Sequence, residues 1–220
     1  MPDLIDNMID KEYAMMIRVN NIGGPASCQS QEETFRLMRR SQFSVWSGIL
    51  LESYYDDLLQ AEAEGRNLLF EKYAWMMKPA LPEEFAKVQH VLPVFSEARK
   101  ARMEETIAIQ MQWAEEFAQR YPALAGRGRI LYTREDTPDS TSVETYTRGE
   151  LSTYSDRTES LYHDFIAACR DQDRNLSIEV REAQVRAQGW PSLDTAEAAV
   201  AAGKGQSVLQ CKLPRRETEQ

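Results

Sequence analysis

An all-α fold follows from three observations on the sequence. Apolar residues recur at helical spacing through most of the chain, Gly and Pro fall between these periodic runs, and alternating strand patterns are nearly absent. At 220 residues the chain fits one domain with a real core. We expect a single compact multi-helix domain over residues 1–202, of about seven to nine helices, with a polar, disorder-prone tail over 203–220.

The first helix begins at Pro2 and carries Ile5, Met8, Met15 and Val19 on one face, with Glu12 standing where the pattern calls for a hydrophobe. Gly23, Gly24 and Pro25 stop it near Asn20-Asn21. The loop up to Gln29 is rich in small and amide residues but lacks both glycine-rich phosphate motifs. Ser27 or Ser30 is expected to cap the second helix, Ser30 with Glu33 as a capping box. That helix presents Phe35, Met38, Val45 and Ile49 in a stripe that Gln42 interrupts.

Ser47-Gly48 marks a bend, then Ile49 to Ala63 and Arg66 to Lys78 read as helices, the latter ended by Pro79 and Pro82. Pro82 opens a helix to about Val91. The longest signal runs from Ser96 to Arg120, with Gln110 at the centre of a stripe formed by Met103, Ile107, Ala114 and Phe117. Residues 122–141 form one long irregular loop, in which Arg129 to Thr133 is the only short strand candidate. Helices are then expected at Asp156 to Asp171, Leu176 to Gln188 and Leu193 to Ala202.

Lys plus Arg total 26 against 35 Asp plus Glu, a net charge of -9 spread along the chain, which argues against nucleic acid and anionic membrane as partners. No apolar run reaches the roughly 18 residues of a membrane span, and the N-terminus lacks a signal-peptide pattern, so a cytoplasmic protein is expected. Cys28, Cys169 and Cys211 are too scattered for a disulfide framework or a zinc site.

The stretch Ser142 to Ser155 departs from ordinary packing. In a helix, Tyr146, Glu150 and Tyr154 follow at i, i+4 and i+8 and set a carboxylate between two phenols. Glu12, Gln42 and Gln110 are polar residues in the middle of other apolar stripes. An unpartnered buried carboxylate costs several kcal/mol, so such residues are bonded, neutralised or face a cavity, and convergent helices would bring all four to one pocket. Arg39, Arg66, Arg127, Arg129 and Arg148 are available to pair them or to hold an anion, although Arg148 sits at i+4 from Glu144 in a plain surface pair. Arg66 and Asn67 stand at a helix start, where anion binding and simple capping are equally open. Cys28 precedes a helix start that would lower its pKa, but neither His90 nor His163 is near it in sequence, and an inert thiol is the expectation. Glu159 and His163 share a face, yet the paired Glu-x-x-His motifs of di-metal bundles are missing, so no cofactor is expected and a carboxylate-bound metal is the minority case.

Four segments together are similar to a known family: Asn20 to Gln29, Met38 to Trp46, Gly65 to Asn67 with Glu71 to Met77, and Ser142 to Ser155. They resemble the bacterial family of unknown function DUF4125 over most of residues 5 to 200. The resemblance implies one helical domain and carries no reaction with it.

The leading expectation is an enzyme using general acid/base chemistry, by elimination, isomerisation or hydrolysis, on a polar, anionic or amino-acid-like small molecule. Glu150 would be the acid or base, tuned by Tyr146 and Tyr154 and assisted by Glu12. Asn21, Cys28, Gln29, Gln42, Asn67 and Gln110 would line the substrate, and Arg39 or Arg66 would hold its charge. The alternative is a non-catalytic ligand-binding or interaction module. Its contact surface would be the loop from Gly126 to Thr141. Self-association is left open.

Overall fold

A computed structural model describes residues 2–19 and 27–204. Eleven α-helices and no strands are found among them. They are α1 (Pro2–Met16), α2 (Glu32–Phe43), α3 (Gly48–Ala63), α4 (Leu68–Ala80), α5 (Pro82–Val88), α6 (Glu97–Arg120), α7 (Pro122–Ala125), α8 (Val143–Leu151), α9 (Asp156–Asp171), α10 (Leu176–Ala187) and α11 (Leu193–Ala201). No described helix is long and apolar enough to cross a membrane. The tail after Lys204 lies outside the described residues.

The helix starts follow local chemistry. Asn67, Ser96, Ser142, Ser155, Asn175 and Ser192 each accept the backbone N–H three residues on, satisfying a donor that the helix itself leaves free. The expected capping box at Ser30 is not formed. Ser27–Ser30 is a 3-10 turn and Gln31 precedes α2 without a side-chain cap. At the far end of α3, Gly65 takes φ of 70°, and the Arg66 N–H reaches back to the Ala61 carbonyl at 2.8 Å.

Three further expectations are corrected. The helix count exceeds seven to nine, and one of the additional helices, α7, lies in the stretch expected to be irregular. Pro79 lies inside the last turn of α4 instead of ending it. The 122–141 stretch is not wholly irregular: it contains α7, a 3-10 turn at Thr133–Glu135 and a single bridge between Thr137 and Ser140. Arg129 to Thr133 is no strand. The Ile130 and Leu131 carbonyls instead accept the Val143 and Glu144 N–H groups at the start of α8, at 2.8 and 3.0 Å.

One main core gathers Met8, Ile9, Met15 and Met16 of α1 with Phe43, Leu50, Leu58, Ile107, Leu151 and Ile166. Helix α1 packs on α2, α3 and α4, while α8 packs on α4 and α6. Smaller clusters sit around Phe117, Val185 and Leu193, and around Ala74, Phe85 and Leu92.

Helices α4 and α8 pack tightly against one another at Gly149. A Cβ built there would lie 2.8 Å from Met76 Cγ and 3.1 Å from the Lys72 carbonyl oxygen. The Met76 side chain can turn aside, but the backbone carbonyl cannot without moving the helix. Gly149→Ala should therefore destabilise the fold by about 1–3 kcal/mol, despite its better helix propensity, as read from the midpoint of urea unfolding.

Candidate functional site

Arg39 is the centre of the site. From the middle of α2, 4 % exposed, it donates through Nε to Glu12 Oε2 at 2.5 Å and through Nη2 to Glu12 Oε1, a two-point grip on a carboxylate of α1. Its Nη1 reaches Glu150 Oε1 of α8 and Gln42 Oε1 of its own helix, both at 2.8 Å. Glu150 Oε2 accepts from Lys72 Nζ of α4, and Tyr54 of α3 donates its hydroxyl to Glu12 Oε1 at 2.7 Å. Two cations and two carboxylates are thus closed on one another. With Tyr54 they tie five helices together.

The electrostatics follow from that closure. Burial pushes the Glu150 carboxyl up, but Arg39 and then Lys72 outweigh it and hold its pKa at about 2. Burial acts to discharge Arg39, and Glu12 and Glu150 together raise it well above its ordinary value instead. Burial and the Glu12 charge push the Tyr54 phenol well up, so it stays a donor.

This network backs a cavity of about 590 Å³ between α2, α4, α6, α8, α10 and the loop before α8. Arg39, Gln42, Lys72, Gln110 and Tyr146 line it; Glu12, Glu150 and Tyr154 do not and stand behind that wall. Two further guanidiniums enter the lining, Arg129 from the loop and Arg181 from α10. Arg129 donates to the Thr141 carbonyl at 3.1 Å and lies over the Tyr146 ring, whose centroid is also 3.8 Å from Lys72 Nζ. Arg181 donates to Gln184 Oε1 at 3.1 Å. Neither forms an ion pair with a described residue, and burial followed by repulsion from Arg129 lowers the Arg181 pKa.

The expected residues therefore divide. Glu12, Arg39, Gln42 and Glu150 meet directly, and Gln110 joins the same cavity wall by accepting the Tyr162 hydroxyl at 3.2 Å. The proposed ladder of two tyrosines around Glu150 is corrected. Helix α8 ends at Leu151, so Tyr154 falls in the following turn, and the partners of Glu150 are Arg39 and Lys72 rather than phenols. Tyr154 packs among Trp46, Tyr54 and Tyr162, its hydroxyl buried without a partner.

Arg66 and Asn67 lie away from the cavity lining. Arg66 is paired in two points with Glu71, at 2.8 Å each, while Asn67 caps α4 and donates to the Met15 carbonyl. Gln29 does not line the cavity either; it donates to the Met16 and Val19 carbonyls, closing the end of α1. Asn21 and the Cys28 side chain fall outside the described residues. Arg148 bonds Glu144 at 3.1 Å as expected and adds Glu104. Among the described residues no group of three His, Cys, Asp or Glu is placed to hold a metal; Glu159 pairs with Arg102, and His163 Nδ1 meets Thr106 Oγ1.

Lys72 and Arg181 escaped the sequence reading. A signal existed for each. Lys72 stands at i+4 from Leu68 and i-4 from Met76, both buried, and Arg181 stands at i-4 from Val185. Each is a charge on an apolar stripe, the same sign that marked Glu12.

Fold and site together define an all-helical protein with a buried ion network behind a cation-lined cavity. The chain belongs to the family described as "Protein of unknown function (DUF4125)", which matches residues 2–198. Comparison with the curated proteins and with the solved structures gives no match.

Arg39→Met should cost about 3–5 kcal/mol in chemical denaturation at neutral pH, because it leaves Glu12 and Glu150 buried with fewer partners. A second expectation concerns acid. The folded pKa of Glu150 lies below the ordinary 4.5, so its contribution of about 3 kcal/mol is complete above pH 4.5 and is lost as pH falls toward about 2. In acid titrations followed by circular dichroism, Glu150→Gln should be less stable than wild type at neutral pH and flatter across that window.

Proposed function

We propose that this protein binds a small anionic molecule in the cavity between α2, α6, α8 and α10. One observation carries the reading: in a chain of net charge -9, the cavity lining includes Arg129 and Arg181, neither of which forms an ion pair with a described residue, and Asp139 is the single carboxylate among the described lining residues. Two guanidiniums that repel one another and are partly desolvated raise the energy of the free protein, and an anion gripped between them recovers it. Arg39 and Lys72 present positive faces to the same space, but their charge is already met by Glu12 and Glu150. Their role is to form a fixed polar wall. Apolar lining from Phe35, Trp46, Trp113 and Val180 suits a ligand with an organic body.

General acid/base chemistry is the second reading, favoured by Lys72, a proton-bearing ammonium that lines the cavity beside Tyr146. Glu150 suits the role of base poorly. A carboxylate held at about 2 between two cations has little proton affinity at neutral pH. Metabolite incubation with wild type beside Lys72→Met distinguishes the two: product formed by wild type and lost in the variant supports chemistry, and binding without product supports a ligand module.

For binding itself, a panel of carboxylates, amino acids and phosphate esters should raise the melting temperature where neutral analogues of the same size do not. By calorimetry, Arg181→Gln should weaken the best anion at least tenfold, and affinity should fall as ionic strength rises. Equal stabilisation by neutral analogues would rule the reading out.

A further inference from the structure

The cavity carries a second polar feature besides its guanidiniums. Gln110 lines it, and the Gln110 Nε2 donor is buried without an acceptor, while its Oε1 accepts from Tyr162 at 3.2 Å. A buried amide donor left unmade costs about 1–3 kcal/mol, so the site gains by offering it an oxygen. The position of this donor relative to the anion seat can be read along α6. Arg181 stands over the Phe117 ring at 5.8 Å and lies against Gly128, with Arg129 next in the chain. Gln110 and Phe117 are seven residues apart on α6, about 10 Å along its axis. Between them the same helix contributes Trp113 to the lining, and α10 adds Leu176 and Val180.

We propose that the ligand is an elongated, two-headed organic anion. A carboxylate or phosphate sits between Arg129 and Arg181, an apolar body lies along Trp113 and Val180, and a neutral oxygen at the far end accepts from Gln110 Nε2. This rests on the anion-binding reading above and adds to it the ligand's length and its second recognition point. The anionic end supplies most of the affinity through charge-assisted bonds, and the far oxygen supplies selection. The same arrangement disfavours small compact anions, which satisfy one pole and leave the other bare.

The test uses the whole chain and follows tryptophan fluorescence, since Trp46 and Trp113 both line the cavity. The probes are octanoate, octyl phosphate, ω-hydroxyoctanoate and ω-hydroxybutyrate, with octanol as the uncharged control. We expect ω-hydroxyoctanoate to bind about fivefold tighter than octanoate, the scale of one net hydrogen bond, and at least tenfold tighter than the short hydroxy acid. Gln110→Leu should abolish the preference for the ω-hydroxyl, so that octanoate and ω-hydroxyoctanoate no longer differ in that variant; Arg181→Gln should weaken every anion. Tighter binding of octyl phosphate or of octanoate identifies the head as phosphate or carboxylate. If octanoate and ω-hydroxyoctanoate bind equally, or their difference persists in Gln110→Leu, the second recognition point is overturned while anion binding stands. If no anion shows Arg181-dependent binding, both readings fall. Should Gln110→Leu not fold, Gln110→Met and the wild-type chain-length comparison decide the matter.

Discussion

The structure depends on the grip of Arg39 on two carboxylates. A buried guanidinium and two buried carboxylates would each be prohibitive alone, and together they satisfy one another only if α1, α2 and α8 hold one relative register. Lys72 and Tyr54 add α4 and α3 to the same condition, since each takes up a carboxylate oxygen that Arg39 shares or leaves free. A sliding of α8 by one turn on α4 would strand Glu150 in apolar surroundings. The network therefore works less as a source of net stability than as a selector of one packing among the many that apolar stripes would tolerate.

That selection shapes the cavity. Because Glu12 and Glu150 stand behind Arg39 and Lys72, what that wall presents to the open space is cationic, even though the whole chain is acidic. Arg129 and Arg181 extend the positive character to elements the network does not reach, the loop before α8 and helix α10. Neither forms an ion pair with a described residue, which distinguishes them from the paired arginines elsewhere in the chain, Arg66, Arg102 and Arg148 among them. Two guanidiniums without an ion-pair partner, set beside a fixed polar wall, concentrate positive potential in a small volume, and the anion-binding proposal rests on that condition.

The polar interruptions at Glu12, Gln42 and Gln110 were legible because burial of such groups is costly and the helical period shows where burial falls. Glu150 was legible for a different and partly mistaken reason, a tyrosine ladder that stops when α8 ends at Leu151. Its real partners were hidden by distance along the chain: Glu150 lies 111 residues from Arg39 and 78 from Lys72. Arg66 and Asn67 show the opposite case. Their placement at a helix start was correct, and local pairing and capping absorbed them entirely.

By itself the sequence located most of the helices, α7 excepted, within a few residues at most ends, because capping hydroxyls and amides, prolines and the 3.6-residue period act locally. It also marked which polar residues must be answered inside the core. Only the tertiary structure decided what answers them, which of them face the cavity and which stand behind it, and that Arg129 and Arg181 remain unmatched. These are properties of side chains from helices distant in sequence, and their energies depend on separation and burial that no local pattern encodes.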